Sequence, residues 1–392
     1  MKNRLLRQRA GKHSYRALLL IACLFPLLLT GCMHAVRLKD RAIVQAVGID
    51  WEEGEYRLTF QYFVPEGSGG ATAFDASKLN NNVMEASGPT LTDAISKAGR
   101  AEGKQLFFGS NRIVVLGREM MEHDINSPIS YFNSQPQIHP GIYLMAAEGS
   151  AREIVSAQIA RGIVPASAIE QAAERGRSDR FMHGGRLLDI VMQLQSETRA
   201  ADLPLIYLEG NEEEPEIHIG GSALCKDGRQ VDTLTDEEVL GALWITGRME
   251  QSAMSLPLEG DTLCALKILG SDARLHPEIN AQGEVLMKLE ISVHSAVQET
   301  IPPVSSSSAL LRQAREAQEQ EIRRLAEQTI QKTIYQNGAD ILGLGKALRK
   351  FEPGYYQSHA GRLEETLKSM RFDIKIVCNI GRIGLEAGNN KR

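Results

Sequence analysis

Beyond residue 32 the chain has no second long apolar run, no cysteines at close paired spacing and no histidine pair at helical spacing. The first absence means that residues 33–392 offer no helix able to span a bilayer. Three cysteines remain in that part, Cys225, Cys264 and Cys378, too few and too scattered for a disulfide framework. Cys264 and Cys378 sit in apolar strand-like runs and read as buried small hydrophobes. The nine histidines form no His-Glu-x-x-His and no metal pair, which removes the common zinc hydrolases. There is no Gly-x-Ser-x-Gly nucleophile elbow. Gly343-Leu344-Gly345-Lys346 lacks the spacing of a phosphate loop, and Ala347 stands where magnesium would need Ser or Thr, so it reads as a turn between helices. Glu212, Glu213 and Glu214 read as a solvated acidic tip, Ser305 to Ser308 as a polar linker, and Trp244 beside Leu243 as core. No catalytic residue, metal site or bound cofactor is expected from this inventory.

What the chain does have is concentrated at its start. Lys2, Arg4, Arg7, Arg9, Lys12 and Arg16 precede an apolar run from Ala17 to Leu29, and no acidic residue interrupts them. That order is a secretory signal: a basic segment held on the cytoplasmic side, then an apolar segment that enters the bilayer. Thirteen residues as helix reach roughly 20 Å, short of the roughly 30 Å hydrocarbon core, and Pro26 interrupts the run. Cleavage is therefore expected over a permanent span. Directly behind the run stands Leu29-Thr30-Gly31-Cys32, which resembles the bacterial lipobox. Small Thr30 and Gly31 leave the peptide bond before Cys32 open to a peptidase. The Cys32 thiol can then carry a diacylglyceryl group, and the new amino terminus an N-acyl chain such as palmitate. Two or more chains hold a protein on a membrane where one does not. Cys23 leaves with the signal.

Removal of residues 1–31 leaves 38 basic against 49 acidic residues, a net charge of −11. Nucleic acid and a polybasic membrane patch are poor partners for such a chain. The length allows two or three domains. The expected division is a signal at 1–31, an N-terminal α+β region over 33–215, a middle segment over 216–260 and a C-terminal α+β domain over 261–392.

Strands are expected at 42–50, 56–64, 83–88, 111–117, 142–147, 201–208, 217–225, 230–234, 263–269, 285–293 and 372–380. Helices are expected at 91–101, 119–132 with a break at Asn126-Ser127-Pro128, 151–160, 166–175, 185–198, 235–247, 307–336, 340–350 and 360–369. Thr90 and Thr235 should cap helices, with Asp93 and Glu238 as return partners of capping boxes. Residues 66–82 read as loop. Residues 209–216 read as a linker or hairpin tip, and a further break is expected near 255–262. The irregular alternation predicts an α+β fold with mixed or antiparallel sheets flanked by helices.

Several stretches in series resemble one family, the lipoprotein (C) subunits of spore nutrient germinant receptors, known as Ger(x)C. They are Leu29-Thr30-Gly31-Cys32, Leu38 to Asp50 ending in Val47-Gly48-Ile49-Asp50, and Gly88-Pro89-Thr90-Leu91-Thr92-Asp93-Ala94. Leu106-Phe107-Phe108-Gly109, Gly220-Gly221-Ser222-Ala223-Leu224, Leu243-Trp244-Ile245-Thr246-Gly247 and Asn337 to Gly345 follow in order. Met33-His34 stand where the family often has Trp-Asp, and Tyr355-Tyr356 stand where it often has Trp. The resemblance implies a three-domain, non-enzymatic subunit on the outer face of the inner spore membrane. It also implies assembly with integral membrane subunits of A and B type, which would hold the small-molecule germinant. A solute-binding lipoprotein feeding a transporter is the alternative, but it needs two α/β lobes around a hinge, and the strand–helix order does not supply them. A cell-wall hydrolase would need an acid/base pair or zinc site that the chain lacks.

Overall fold

The computed structural model describes residues 40–63, 82–157, 165–178, 181–211, 214–303 and 307–382. Within them the fold is α+β, as its alternation predicts, and it is organised by two mixed sheets.

The first sheet starts with β1 (Arg41–Glu52) and β2 (Glu55–Phe63), paired antiparallel. Their turn places Glu53 and Gly54 at φ of 52° and 85°, the geometry of the tight hairpin turn that matches strand twist. β3 (Asn82–Gly88) pairs with β2. β4 (Gln105–Phe107) and β5 (Ile113–Leu116) both run parallel to β1. β6 (Tyr143–Ala147) and β7 (Ala200–Asn211) continue in parallel beyond β5, and β8 (Glu214–Lys226) and β9 (Arg229–Leu234) return antiparallel. The order across the sheet is β3-β2-β1-β5-β6-β7-β8-β9.

Helices cover both faces. On one side lie α1 (Leu91–Glu102), α2 (Arg118–His123), α3 (Asn126–Ser134) and α6 (Leu187–Leu194). On the other lie α4 (Ala151–Ser156) and α5 (Pro165–Ser178). The two-residue period of the strands divides the side chains between them: Val114 and Leu116 of β5 join the α1–α3 core, while Ile113 and Val115 join the α4–α5 core. A strand covered on both faces is apolar throughout, which is why Ile113-Val114-Val115-Leu116 shows no polar alternation. Thr90 Oγ1 accepts from the Asp93 amide at 3.1 Å. The Asp93 carboxylate, expected as the return half of a capping box, lies at Lys97 Nζ, 2.9 Å away.

The second sheet has the order β10-β11-β12-β13. It consists of β10 (Ala253–Leu258), β11 (Thr262–Ile279), β12 (Val285–Ile301) and, parallel to β12, β13 (Arg371–Arg382). Only one face is covered. Val285, Met287, Leu289, Ile291 and Val293 are buried in β12, whereas Glu290, Ser292 and His294 are exposed. The covering helices are α7 (Asp236–Ile245), α8 (Ser308–Ile330), α9 (Leu344–Phe351), α10 (Pro353–His359) and α11 (Leu363–Ser369). α7 opens with a full capping box: Thr235 Oγ1 accepts from Glu238 N at 3.3 Å and Glu238 Oε2 accepts from Thr235 N at 2.8 Å. Gly241 sets the α7–α8 crossing, because a Cβ there would lie 2.0 Å from Thr329 Oγ1 and 2.4 Å from the Leu325 carbonyl.

Several elements differ from expectation. β11 and β12 extend well past 269 and 293, and β10 occupies residues expected to form a break. The helix expected over 307–336 is α-helical only to Ile330 and then makes a π-helical turn, Gln331–Gln336. The Thr329 and Thr333 hydroxyls hydrogen-bond carbonyls one turn back, at 2.9 and 2.7 Å, and the Ala339 amide reaches back to the Thr333 carbonyl. Such competition loosens the regular ladder. α4 stops at Ser156 and α6 spans 187–194 only. Residues 209–211 of β7 pair with 214–216 of β8, so the border at 215/216 falls within paired strands of one sheet. The border at 260/261 falls in the β10–β11 turn. Glu212, Glu213, Ser305 and Ser306 lie outside the described residues.

Candidate functional site

Leu29, Thr30, Gly31 and Cys32 lie outside the described residues, as does the whole of 1–39. The described residues begin at Asp40 and Arg41. The Arg41 guanidinium lies 4.8 Å from the Phe107 ring centroid on β4, a cation–π contact. This end of β1, with β4 beside it, is where the chain joins the segment that carries Cys32.

At the opposite end of β1 the stretch Val47-Gly48-Ile49-Asp50 forms a seat for α4. Asp50 is buried, and its two oxygens accept from the amides of Ala151 at 2.8 Å and Arg152 at 2.9 Å and from Ser150 Oγ at 3.1 Å. The two amides are among the free N–H groups that begin every helix. Burial pushes the Asp50 carboxyl above its ordinary range, against those three hydrogen bonds. Gly48 has no room for a side chain: a Cβ would sit 2.9 Å from the Ala151 carbonyl. A Cβ on Gly117 would meet Asp50 Oδ1 at 1.9 Å. A cavity of about 280 Å³ lies beside this seat, at the carboxyl ends of β1 and β6. Open α/β sheets often bind ligands at such ends. Here the best-placed carboxylate is already occupied by α4, so the constellation acts as a brace.

The other motif stretches converge on the joint between the two sheets. Lys226, the last residue of β8, meets Glu364 of α11 at 2.6 Å and donates to the Asn337 carbonyl at 3.3 Å. Asn337 Nδ2 donates to Asp232 Oδ2 on β9 at 2.9 Å, and Lys332 Nζ meets Asp232 Oδ1 at 2.7 Å. Arg349 of α9 reaches Glu197, in the turn between α6 and β7, at 2.8 Å, and Arg324 of α8 reaches Glu237 of α7 at 2.9 Å. The π-helical turn presents Lys332 and Asn337 to β9 together. Lys332, with Asn337 and the Thr233 amide, outweighs burial and holds the Asp232 carboxyl below the usual range. Lys226 and Lys368 do the same for Glu364.

Asp340 supports this joint from inside. It is buried, and its carboxylate accepts from the amides of Leu342, Gly343, Leu344 and Gly345 at 2.8 to 3.1 Å. Burial raises its carboxyl, and the four amides oppose that rise. Gly338 and Gly343 take positive φ, 59° and 85°. The Gly-x-Gly-Lys string, expected as a turn between helices, is instead the N-cap and first turn of α9, wrapped around the chain's own carboxylate. Trp244 is buried in the second core and the following Gly247 takes φ of 65°, which turns the chain toward β10 against Ala273. Gly221, at φ of 66°, sits where a Cβ would press on the Leu234 carbonyl, and its amide donates to Asp236 Oδ1 at 2.6 Å.

Cys225, Cys264 and Cys378 are buried and unbridged. Among the described residues no group of three or more His, Cys, Asp or Glu side chains is placed to hold a metal ion, and no helix is long and apolar enough to cross a membrane. Sequence reasoning singled out the motif stretches but missed Lys226, Asp232, Lys332 and Glu364. They are far apart in the chain, and the one available signal was Asn337 heading a stretch rich in glycine.

Two family models match in series: the spore germination protein N-terminal domain over residues 34–208, and the C-terminal domain of the spore germination B3/GerAC-like proteins over residues 220–384. Neither description names an enzyme. Among curated proteins of Bacillus subtilis (strain 168), the chain is 22% identical to spore germination protein KC, covering 92% of this chain and 93% of that one. It is 20% identical to spore germination protein B3 over 96% of this chain and 99% of that one. It is 23% identical to the putative spore germination protein YfkR over 71% of this chain and 74% of that one. The crystal structure of the GerBC protein superposes with a TM-score of 0.53 at 16% identity, covering 85% of this chain and 96% of the other, so the two share the fold. With both domain models matched in order and that fold in place, the chain belongs to the Ger(x)C family of spore germination proteins.

Proposed function

We propose that this chain is the lipid-anchored, non-catalytic subunit of a spore germinant receptor, needed for nutrient-triggered germination. In this reading Cys32 carries diacylglyceryl and N-acyl chains on the outer face of the inner spore membrane. The two-sheet body docks with integral membrane subunits of A and B type, and those subunits hold the small-molecule germinant. The observation that carries the reading is Leu29-Thr30-Gly31-Cys32 directly behind an apolar run, upstream of both family domains.

The physical argument runs from the anchor upward. A mature chain of net charge −11 gains nothing from an anionic lipid surface, so acyl chains must supply the attachment. Residues 33–40 reach at most about 30 Å when fully extended. That leash keeps the Arg41 end of β1 near the bilayer and limits how far the body can travel from partners in it. The motif stretches brace α4 and join the two sheets, which suits a body whose task is to present a rigid surface.

The test is Cys32→Ala in the spore-forming host. The substitution should release the protein from the membrane fraction and weaken the germination response. Mass spectrometry should find acyl chains on the amino-terminal peptide of the unaltered protein. Full membrane retention and a normal response in the variant would overturn the reading.

A further inference from the structure

We propose that the bare face of the second sheet is the surface through which two copies of this chain pair, face to face about a two-fold axis. The inference goes beyond the anchoring role and does not rest on it.

Ten large hydrophobics are exposed among the described residues, and four of them, Leu263, Leu269, Ile301 and Val377, stand on this one face at 41 to 58% exposure. Strand alternation puts them there. Cys264, Leu266 and Ile268 of β11 belong to the covered core, so Leu263, Ala265 and Lys267 point away from it. Leu263 lies opposite Ile301 on one side and Pro257 on the other, which makes one row apolar across three strands. Leu269 is the extra residue of the bulge between Ile268 and Gly270, and Val377 lies beside Ser292 in the β12–β13 ladder. Ala253, Ala265, Ala296 and Gly381 occupy the ground between them, so a flat partner can come close. Monomeric proteins seldom leave so much apolar surface on one side of a sheet.

A sheet can meet another chain by its edges or by its faces, and here the edges are closed. On β10 and the free part of β11, Pro257 and Pro277 lack the N–H that strand pairing needs. On β13, Arg323 of α8 donates to the Ile374 carbonyl at 2.8 Å, and Glu319 accepts from the Cys378 amide at 3.0 Å. Strand addition is thus hindered on both flanks, while the face stays open.

Charge and area favour a second copy as the occupant. The chain beyond residue 31 carries a net charge of −11, so two copies repel over most of their surface. The bare face carries none of that excess. Arg274 pairs with Asp272 at 3.2 Å, Lys375 with Glu290 at 3.2 Å, and Lys288 with Glu278. The other charges on it, Lys267 and Arg371 against Glu299 and Asp373, also cancel. A partner selected by charge would need an imbalance, whereas a neutral, partly apolar face suits its own copy. With strands about 4.8 Å apart and residues about 3.4 Å along them, the four strands offer roughly 800 Å², the share of each partner in a standard-size interface. A two-fold axis brings the same patch from both chains together and closes the assembly at two. Facing sheets then interdigitate their side chains about 10 Å apart.

The test is sedimentation equilibrium of the full chain in detergent micelles, with micelles in excess over chains and the solvent density matched to the detergent so that only protein mass counts. The expected result is a monomer–dimer equilibrium with a dissociation constant about micromolar or tighter. Leu269→Asp and Val377→Asp alter exposed side chains on two different strands, and the two-fold axis places each new carboxylate in the interface twice. Each should weaken the dimer about tenfold or more and leave the circular dichroism unchanged. Met192→Asp, at an exposed hydrophobic of α6, should leave the equilibrium as it was. The proposal is overturned if the chain stays monomeric up to about 100 μM, which would leave the face to a different partner. It is equally overturned if assembly continues past two, if both face variants dimerise as the unaltered protein does, or if Met192→Asp alone abolishes the dimer.

Discussion

Lys226 and Glu364 meet at 2.6 Å across the two sheets, one at the end of β8 and the other in the first turn of α11. The lysine side chain is only 14% exposed and also serves the Asn337 carbonyl, so its ammonium holds two parts of the second half against the first. Lys226→Ala should lower stability by about 1 kcal/mol, within the upper range for a partly exposed pair. Urea unfolding would read this as a lower midpoint with unchanged slope if the two sheets unfold together. A change of slope would instead report that the joint alone had opened.

Acid should weaken the same joint. Asp232, Glu364 and Glu197 all have carboxyls held below their usual range by basic or hydrogen-bonding partners. A depressed carboxyl stabilises the fold above its unfolded-state value and loses that contribution as pH falls through the folded one. The loss therefore occurs below about pH 4. Asp50 and Asp340 are raised and act in the opposite direction, since protonation relieves their burial. Melting temperatures between about pH 5 and 3 should fall in the unaltered protein and fall less steeply in Asp232→Asn.

The seat of α4 offers a separate test. Asp50→Ala leaves the buried Ala151 amide without its acceptor, and the expected cost is about 1–2 kcal/mol. Gly48→Ala forces a methyl against the Ala151 carbonyl and should cost about 1–3 kcal/mol. Hydrogen exchange should show faster exchange at Ala151 and Arg152 in both variants, with α11 unaffected.

The three thiols should be silent in the native protein. Burial pushes Cys378 up to about 12 and raises Cys225 and Cys264 as well, so almost no thiolate is present at neutral pH to react. Peptide mapping after treatment with an aromatic disulfide reagent should find Cys225, Cys264 and Cys378 unmodified until denaturant is added.

Local signals in the sequence located much of this fold. The Thr235–Glu238 pair marked the start of α7 because a capping box is a short-range arrangement, and Trp244 lay in a run apolar enough to be core. The central strands of the first sheet were legible because both of its faces are covered there. Reading failed at the far half of a long strand. Residues 270–279 of β11 alternate with polar residues and include Pro277, which looks like a break. β10 pairs with β11 only up to Lys267, so beyond that point β11 is an edge, where proline is tolerated. Pro257 of β10 lies on an edge for the same reason. The joint was invisible because Asp232 meets Asn337 105 residues along the chain. His183 and Asp202 meet only because the turn after α5 folds back on β7, and no spacing rule predicts that contact.

The parallel pairing of β13 with β12 affects how the molecule is made. β13 is the last of the described strands to be synthesised, yet it contributes Ile374, Ile376 and Cys378 to the interior beneath α8. Until the ribosome has passed residue 382, the earlier three strands and their helices have no partner on that flank. The N-terminal sheet has all its strands by residue 234 and can mature while the rest is still emerging. The two halves should therefore acquire protease resistance at different times during translation, and a chain cut before Arg371 should keep the first half and lose the second.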